Sequence, residues 1–211
     1  MLFIFDWDGT LCQSLDRIVT SIQRASVDIG LKPLDKLKAQ SVIGLGLQEA
    51  MDALFPSLDQ RGRDQLVECY KYHFVSLDGE VPSPLYEDAM HTLDTLRQAG
   101  HKLAVATGKG RDGLTRVLEE KGLINYFDAT RCADETKSKP DPLMLQQILE
   151  ELGFDASQAI MIGDTEFDLE MANAAQMKSI AVTYGAHGLP RLKKCRPSLM
   201  VDNLQSILQY F

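Results

Sequence analysis

An α/β fold is what the sequence predicts: a doubly wound parallel-sheet, Rossmann-like core carrying an inserted all-α unit. Three observations predict it. Short apolar runs, each followed by a small or polar cluster, recur along the chain; helical periodicities fill the gaps between the later runs; and one long stretch near the N-terminus is helical throughout.

The first run, Leu2 to Phe5, has the continuous apolar character of a strand buried on both faces. From about Ser14 to Val81 the pattern changes to the helical period. Leu15, Ile18, Val19, Ile22 and Ile29 form one stripe, ended by Gly30. Further helices are expected at Leu34 to Val42, Leu47 to Leu54 and Asp59 to Leu77, the last carrying Leu66, Cys69, Tyr70 and Phe74 at helical spacing. Val81-Pro82-Ser83-Pro84 reads as the return linker and Leu11 to Ser14 as the outgoing one. The expected division is therefore a core of residues 1–13 and 83–211 and a helical insert of residues 14–82.

After the insert, Tyr86 to Ala99 places Ala89, Leu93 and Leu96 on one helical face, and Gly100 stops it. A strand follows at Leu103 to Ala106, then a helix around Gly113 to Lys121. A second helix, Pro142 to Leu152, is opened by Asp141-Pro142 as cap and first-turn proline. Strands at Ile160 to Ile162 and Ser179 to Thr183 flank a helical stretch, Leu169 to Ala175. Strands alternating with helices specify parallel pairing.

Composition narrows the function. The 211 residues carry 22 Lys+Arg against 30 Asp+Glu, a net charge of -8, and are 45% hydrophobic, enough to bury a core without disulfides. Cys12, Cys69, Cys132 and Cys195 are far apart with no CxxC pair, so neither a zinc site nor a secreted disulfide framework is predicted, and a reducing cytoplasm is the expected location. Asp6 cuts the first apolar run, so no secretory leader is predicted, and no run approaches a membrane span. Dispersed Lys and Arg on an acidic chain argue against nucleic acid as a partner.

Four motifs could carry chemistry. Asp6-Trp7-Asp8-Gly9-Thr10 follows a buried strand and precedes a helix, where open α/β sheets bind ligands. A turn acid and a helix cap would be the bland explanation of either Asp alone. Ile162-Gly163-Asp164, then Asp168, repeats the situation at another strand end. One acid there would only complement a helix dipole, and Asp164 precedes the helix proper. Thr107-Gly108 offers a hydroxyl and backbone N–H groups that could cradle an oxyanion or phosphate, although Thr-Gly is also a common turn. Lys139, before Pro140 in Lys137-Ser138-Lys139-Pro140-Asp141-Pro142, has an immobile backbone from which to reach a neighbouring site. If the first three strand-end motifs sit side by side, Asp6, Asp8, Asp164 and Asp168 converge and need cations. Clustered oxygen donors with few His or Cys select a hard ion, Mg²⁺ before zinc. A phosphate held by metal, lysine and amides could then be attacked by a carboxylate.

The order Asp6-x-Asp8-Gly9-Thr10, Thr107-Gly108, Lys139-Pro140, Gly163-Asp164-x-x-x-Asp168 resembles the haloacid dehalogenase-like (HAD) hydrolase superfamily across the whole chain. The helical insert is similar to that family's small cap. The whole looks like its phosphoglycolate phosphatase branch, with Ile43-Gly44-Leu45-Gly46 resembling a cap loop that faces the site and contributes Gly44 and Gly46 to substrate binding. The resemblance implies that Asp6 is the nucleophile and that Asp8 serves as acid and then base. It further implies that Thr107 and the Gly108 amide bind the phosphoryl group, that Trp7 lends a backbone N–H, and that Lys139 neutralises charge. Mg²⁺ would be held by Asp6, the Asp8 carbonyl and Asp164, with Asp168 a ligand or behind the ligands.

The implied substrate is a small phosphorylated metabolite, phosphoglycolate first, handled by a monomer or homodimer. A phosphosugar mutase, a pyrophosphatase or nucleotidase of the same superfamily, and a phospho-receiver signalling module are the other readings. Arg17, Arg24 and Lys32 are the cap cations on offer for a substrate carboxylate. Tyr86-Glu87-Asp88 stands where relatives usually have a Pro-Gly turn. His73, His91, His101 and His187 are expected in packing or surface roles, and Met51, Met90, Met144, Met161 and Met171 as core filler.

Overall fold

The computed structural model describes residues 1–211. Strand β1 (Leu2–Phe5) is buried along its whole length and lies mid-sheet, pairing with β2 (Lys102–Thr107) on one side and β4 (Ala159–Gly163) on the other. With β3 (Ala129–Cys132), β5 (Lys178–Val182) and β6 (Leu199–Val201) it forms a six-stranded sheet in the order β3-β2-β1-β4-β5-β6, parallel throughout. Phe5 is in register with both Val105 and Ile162, so Asp6, Thr107 and Asp164 emerge together at the carboxyl edge. The chain winds outward from β1 in both directions, which leaves the ligand crevice of such sheets at that point.

The side-chain period of two in β1 sorts its residues onto two cores. Phe3 and Phe5 pack with Leu93 and Leu96 of α5 (Ala89–Gln98) and Leu114 and Val117 of α6 (Arg111–Glu120). Leu2 and Ile4 pack on the other face, with Met144 and Ile148 of α7 (Leu143–Leu152) and Met171 of α8 (Glu166–Ala174). Helix α9 (Leu189–Lys194) closes the β5 side through Leu192.

Helices α1 (Leu15–Asp28), α2 (Lys36–Gln40), α3 (Leu47–Leu54) and α4 (Gln60–Ser76) have a core of their own, in which Ile18 and Ile22 of α1 meet Met51 of α3 and Leu66 and Phe74 of α4. No helix is long and apolar enough to cross a membrane.

Several local expectations are corrected. Strands β3 and β6 fall outside the apolar runs: β3 is apolar only at Ala129 and Cys132, and β6, though apolar throughout, is three residues long with two of them half-buried. The helix expected over Leu34 to Val42 is only Lys36–Gln40: Asp35 caps it, accepting from the Leu37 and Lys38 N–H groups at 2.9 and 3.3 Å, and the chain then turns toward Gly44. The two linkers are not independent tethers. Gln13 N–H donates to Pro84 O at 2.8 Å and Tyr86 N–H to Leu11 O at 3.0 Å, so they run as a hydrogen-bonded pair.

Candidate active site

At the end of β1, Asp6 is buried, its N–H donating to Ile162 O at 2.9 Å. Lys139, just before α7, sends its ammonium into the sheet edge, donating to Asp6 Oδ1 at 2.7 Å and Asp168 Oδ1 at 2.6 Å. Asp168 belongs to the first turn of α8, where it forms a capping box with Thr165: its Oδ2 accepts from the Thr165 N–H at 3.1 Å and hydroxyl at 2.6 Å. Asp164, between β4 and α8, accepts from the Thr10 hydroxyl at 2.9 Å and the Ala186 N–H at 2.7 Å. The carboxylates of Asp6, Asp164 and Asp168 each bring an oxygen within 4.8 Å of the others, all buried.

Three buried carboxylates around one ammonium leave an excess of negative charge, and the electrostatics record it. Burial pushes the Asp6 carboxyl well above the usual range, with Lys139 opposing and Asp168 and Asp164 adding to the rise. Burial, reinforced by Asp168, pushes Asp164 up to about 7. Burial alone would lower the Lys139 ammonium, but Asp168 and Asp6 hold it above the ordinary lysine value. Both Asp168 oxygens are engaged, whereas Asp6 Oδ2 is buried with no hydrogen-bond donor. An orphaned anionic oxygen beside a second carboxylate fits a hard divalent cation, with Asp6 and Asp164 as donors and Asp168 occupied in fixing Lys139.

Asp8 stands apart from this cluster. Its Oδ1 accepts from the Ser14 hydroxyl at 2.5 Å and its Oδ2 is 3.1 Å from the Lys109 ammonium. Asp6 and Asp8 open onto a cavity of about 580 Å³ that runs up between the sheet edge and the helical insert. Gly108, Gly44 and Gly46 line it too. Gly44 has φ +105, and a Cβ on Gly108 would collide with the carbonyls of Leu45 and Gly44, so the insert's loop touches the turn after β2 backbone to backbone. The Gly46 N–H donates to Ser138 Oγ at 2.8 Å.

Trp7 and Thr107 do not line the cavity. Trp7 is buried in the sheet core, its ring edge-on to Phe127 at 6.5 Å, although its N–H takes part in no backbone–backbone hydrogen bond. Thr107 is buried, its Oγ1 accepting from the Lys109 N–H at 3.2 Å.

Arg17, Arg24 and Lys32 also miss the cavity. Arg17 is turned onto Asp78 at 2.5 Å and the Val81 carbonyl at 2.7 Å, Arg24 pairs with Glu80 at 2.7 Å, and Lys32 is exposed. The cations that do line it, Lys71, Lys109 and Arg116, were not anticipated. Position gave a signal for Lys109 alone, directly after Thr107-Gly108. Its ammonium also lies 4.4 Å from the centroid of the Phe74 ring on α4.

Of the histidines, His187 is more than packing. Its Nδ1 accepts from the Glu166 N–H at 3.0 Å, which leaves the proton on Nε2 to donate to Ser41 O on the insert at 3.3 Å. Burial, then Arg191, lowers its pKa to about 4, so the ring is the neutral bridge this pattern requires. Met51, Met144, Met161 and Met171 are core residues, and Met51 lines the cavity as well.

Comparison with known proteins follows the same outline. Residues 3–182 match the family model described as haloacid dehalogenase-like hydrolase. The Probable phosphatase IndB of Dickeya dadantii is 32% identical over 210 residues, covering 98% of this chain and 91% of the relative. The Phosphoglycolate phosphatase of Agrobacterium fabrum is 32% identical over 212 residues, covering 98% and 90%. In fold, the chain is similar to a crystal structure described as a predicted phosphoglycolate phosphatase from Haemophilus somnus, with TM-score 0.90, 23% identity, and coverage of 99% of this chain and 96% of that one.

Proposed function

Because the chain belongs to the haloacid dehalogenase-like hydrolase family, we propose that it is an Mg²⁺-dependent phosphatase that hydrolyses a phosphomonoester through an aspartyl-phosphate intermediate. The observation that carries this reading is Asp6 itself: Lys139 grips one of its oxygens at 2.7 Å while the other, buried and without a donor, is left for metal and substrate.

In the proposed reaction Asp6 attacks the phosphorus and Asp8, two residues on, donates a proton to the departing alcohol oxygen. Asp8 then takes a proton from the water that opens the aspartyl-phosphate, regenerating Asp6 and releasing inorganic phosphate. Lys139 offsets charge at Asp6 throughout, and Asp168 holds Lys139 in place. The backbone N–H groups of Trp7 and Gly108 are the donors for the phosphoryl oxygens, with Thr107 supporting the Gly108 turn. Bound Mg²⁺, held by Asp6, Asp164 and the Asp8 carbonyl, would supply Lewis-acid stabilisation of the phosphoryl charge.

Residues 14–82 serve as a cap over residues 1–13 and 83–211, excluding bulk water from the crevice. Four free cysteines suit the reducing cytoplasm as its place of work. Phosphoglycolate, the substrate in the name of the Agrobacterium fabrum relative, is one member of the phosphomonoester class.

The test is phosphate release from a panel of phosphomonoesters with Mg²⁺ or EDTA, for the native chain and Asp6→Asn, alongside acid-quench trapping of labelled phosphoenzyme. Metal-dependent turnover and a trapped acyl phosphate, both lost in Asp6→Asn, support the reading. Turnover by Asp6→Asn at the native rate refutes it.

A further inference from the structure

The cavity above Asp6 and Asp8 is far larger than a two-carbon acid requires, and its cap side is built of Ile18, Ile22, Met51, Val67, Tyr70 and Phe74. Tyr70 adds no charge, since burial raises its hydroxyl far above the ordinary tyrosine value. A substrate carboxylate here would need an unpaired cation or free backbone N–H donors, and those at the start of the lining helix α3 lie beside the Glu49 carboxylate. Each lining cation already has a carboxylate partner: Lys71 with Glu68 at 2.9 Å, Lys109 with Asp8 at 3.1 Å, and Arg116 with Glu120 at 2.5 Å. Lys109 and Arg116 also face the Phe74 ring, at 4.4 and 5.7 Å from its centroid.

The remaining charged wall is acidic. Glu49, Asp112 and Asp134 line the cavity beside Asp6 and Asp8, and repel a second negative charge. An apolar group placed against the cap wall meets no such penalty and removes apolar surface from water.

Taking the phosphatase reading as its premise, we propose that the substrate's organic part is uncharged, apolar and about the size of a six-membered ring, seated against the cap wall between α1, α3 and α4, and that phosphoglycolate is a poor substrate. The Mg²⁺-loaded native enzyme is assayed with benzyl phosphate and cyclohexylmethyl phosphate against 2-phosphoglycolate and glycerol phosphate, all esters of primary or α-hydroxy alcohols. The ring esters are expected to exceed phosphoglycolate in kcat/KM by about tenfold or more, the scale on which an apolar pocket discriminates. Val67→Lys, which adds a cation at a half-buried wall position, is expected to narrow that ratio by raising KM for the ring esters. Phosphoglycolate equal to or better than the ring esters in the native enzyme overturns the proposal, whether or not the variant folds.

Calorimetric binding of two inert phosphonates separates this proposal from its premise. If 2-phenylethylphosphonate binds more tightly than 3-phosphonopropionate but no ester turns over, the pocket assignment stands and the phosphatase reading falls. If the two phosphonates bind alike, or the carboxylated one better, the pocket assignment falls while turnover of any ester still supports the reaction.

Discussion

Lys139 Nζ lies 2.7 Å from Asp6 Oδ1, with both side chains sealed from solvent, while Asp6 Oδ2 has no donor at all. One side chain is thereby split into a neutralised half and an available half. The nucleophile's position is set by a residue far along the chain, which Asp168 fixes in turn at 2.6 Å.

Removing the ammonium leaves buried carboxylates uncompensated. Lys139→Met is expected to lower kcat by about 10²–10³, as for loss of one preorganised charge donor. It should also cost about 3–5 kcal/mol of stability, the scale for breaking a buried pair from one side. Steady-state kinetics with thermal denaturation check both, and Lys139→Arg should not rescue, since the sealed site fits a compact ammonium rather than a planar fork. Activity within threefold of native would refute the assignment.

Metal should act as a pH-dependent stabiliser. The Asp164 carboxyl is raised from 3.8 to about 7, so its contribution to stability without metal is full below pH 3.8 and is lost as pH rises through about 7. Mg²⁺ competes with that proton. At 100 times its dissociation constant it adds about 2.7 kcal/mol, or roughly 5–10 °C in a chain of this size. The Tm gain from Mg²⁺, measured by scanning calorimetry, is expected to grow from pH 5 to pH 8. A gain that is flat or falls with pH would count against Asp164 as a ligand.

The turn after β2 has no room for a side chain. In Gly108→Ala the new methyl meets the Leu45 and Gly44 carbonyls, so the insert's loop must back away while the sheet is untouched. A fall in kcat/KM of about 10–100-fold is expected from the displaced loop, with far-UV circular dichroism unchanged. Native kinetics from a folded Gly108→Ala would show that loop contact to be idle.

His187 joins α8 to the insert only while neutral. Its pKa is lowered from 6.5 to about 4, so the stability it brings is full above pH 6.5 and is lost as pH falls through about 4. His187→Leu, which keeps the volume but neither hydrogen bond, should cost about 1–2 kcal/mol at pH 7. Urea denaturation of both proteins across pH 4 to 7.5 with saturating Mg²⁺ should show the gap shrinking toward pH 4. A constant gap would mean the ring does not titrate in this bridge.

Much of the architecture is legible in the chain itself. β1, β2, β4 and β5 are buried on both faces, so they read as continuous apolar runs, and the acids and small residues that end them mark the carboxyl edge of the sheet. Asp6, Asp164, Asp168 and Lys139 could be named because each stands at a strand end or helix start whose backbone needs are local. β3 and β6 could not be seen in this way, since edge strands bury too little to leave a pattern.

What only the tertiary structure decided is where the long side chains point and which partners they take. Arg17 reads as a candidate for the substrate but is spent on Asp78, whereas Lys109, unremarked in the sequence, meets Asp8 and Phe74. The Gly46 amide goes to Ser138, and His187 reaches Ser41 across 146 positions. Backbone propensity and apolar period act over a few residues, so sequence carries them. The direction of a flexible charged side chain is set by whichever opposite charge or carbonyl the fold brings within about 3 Å, and nothing local encodes that.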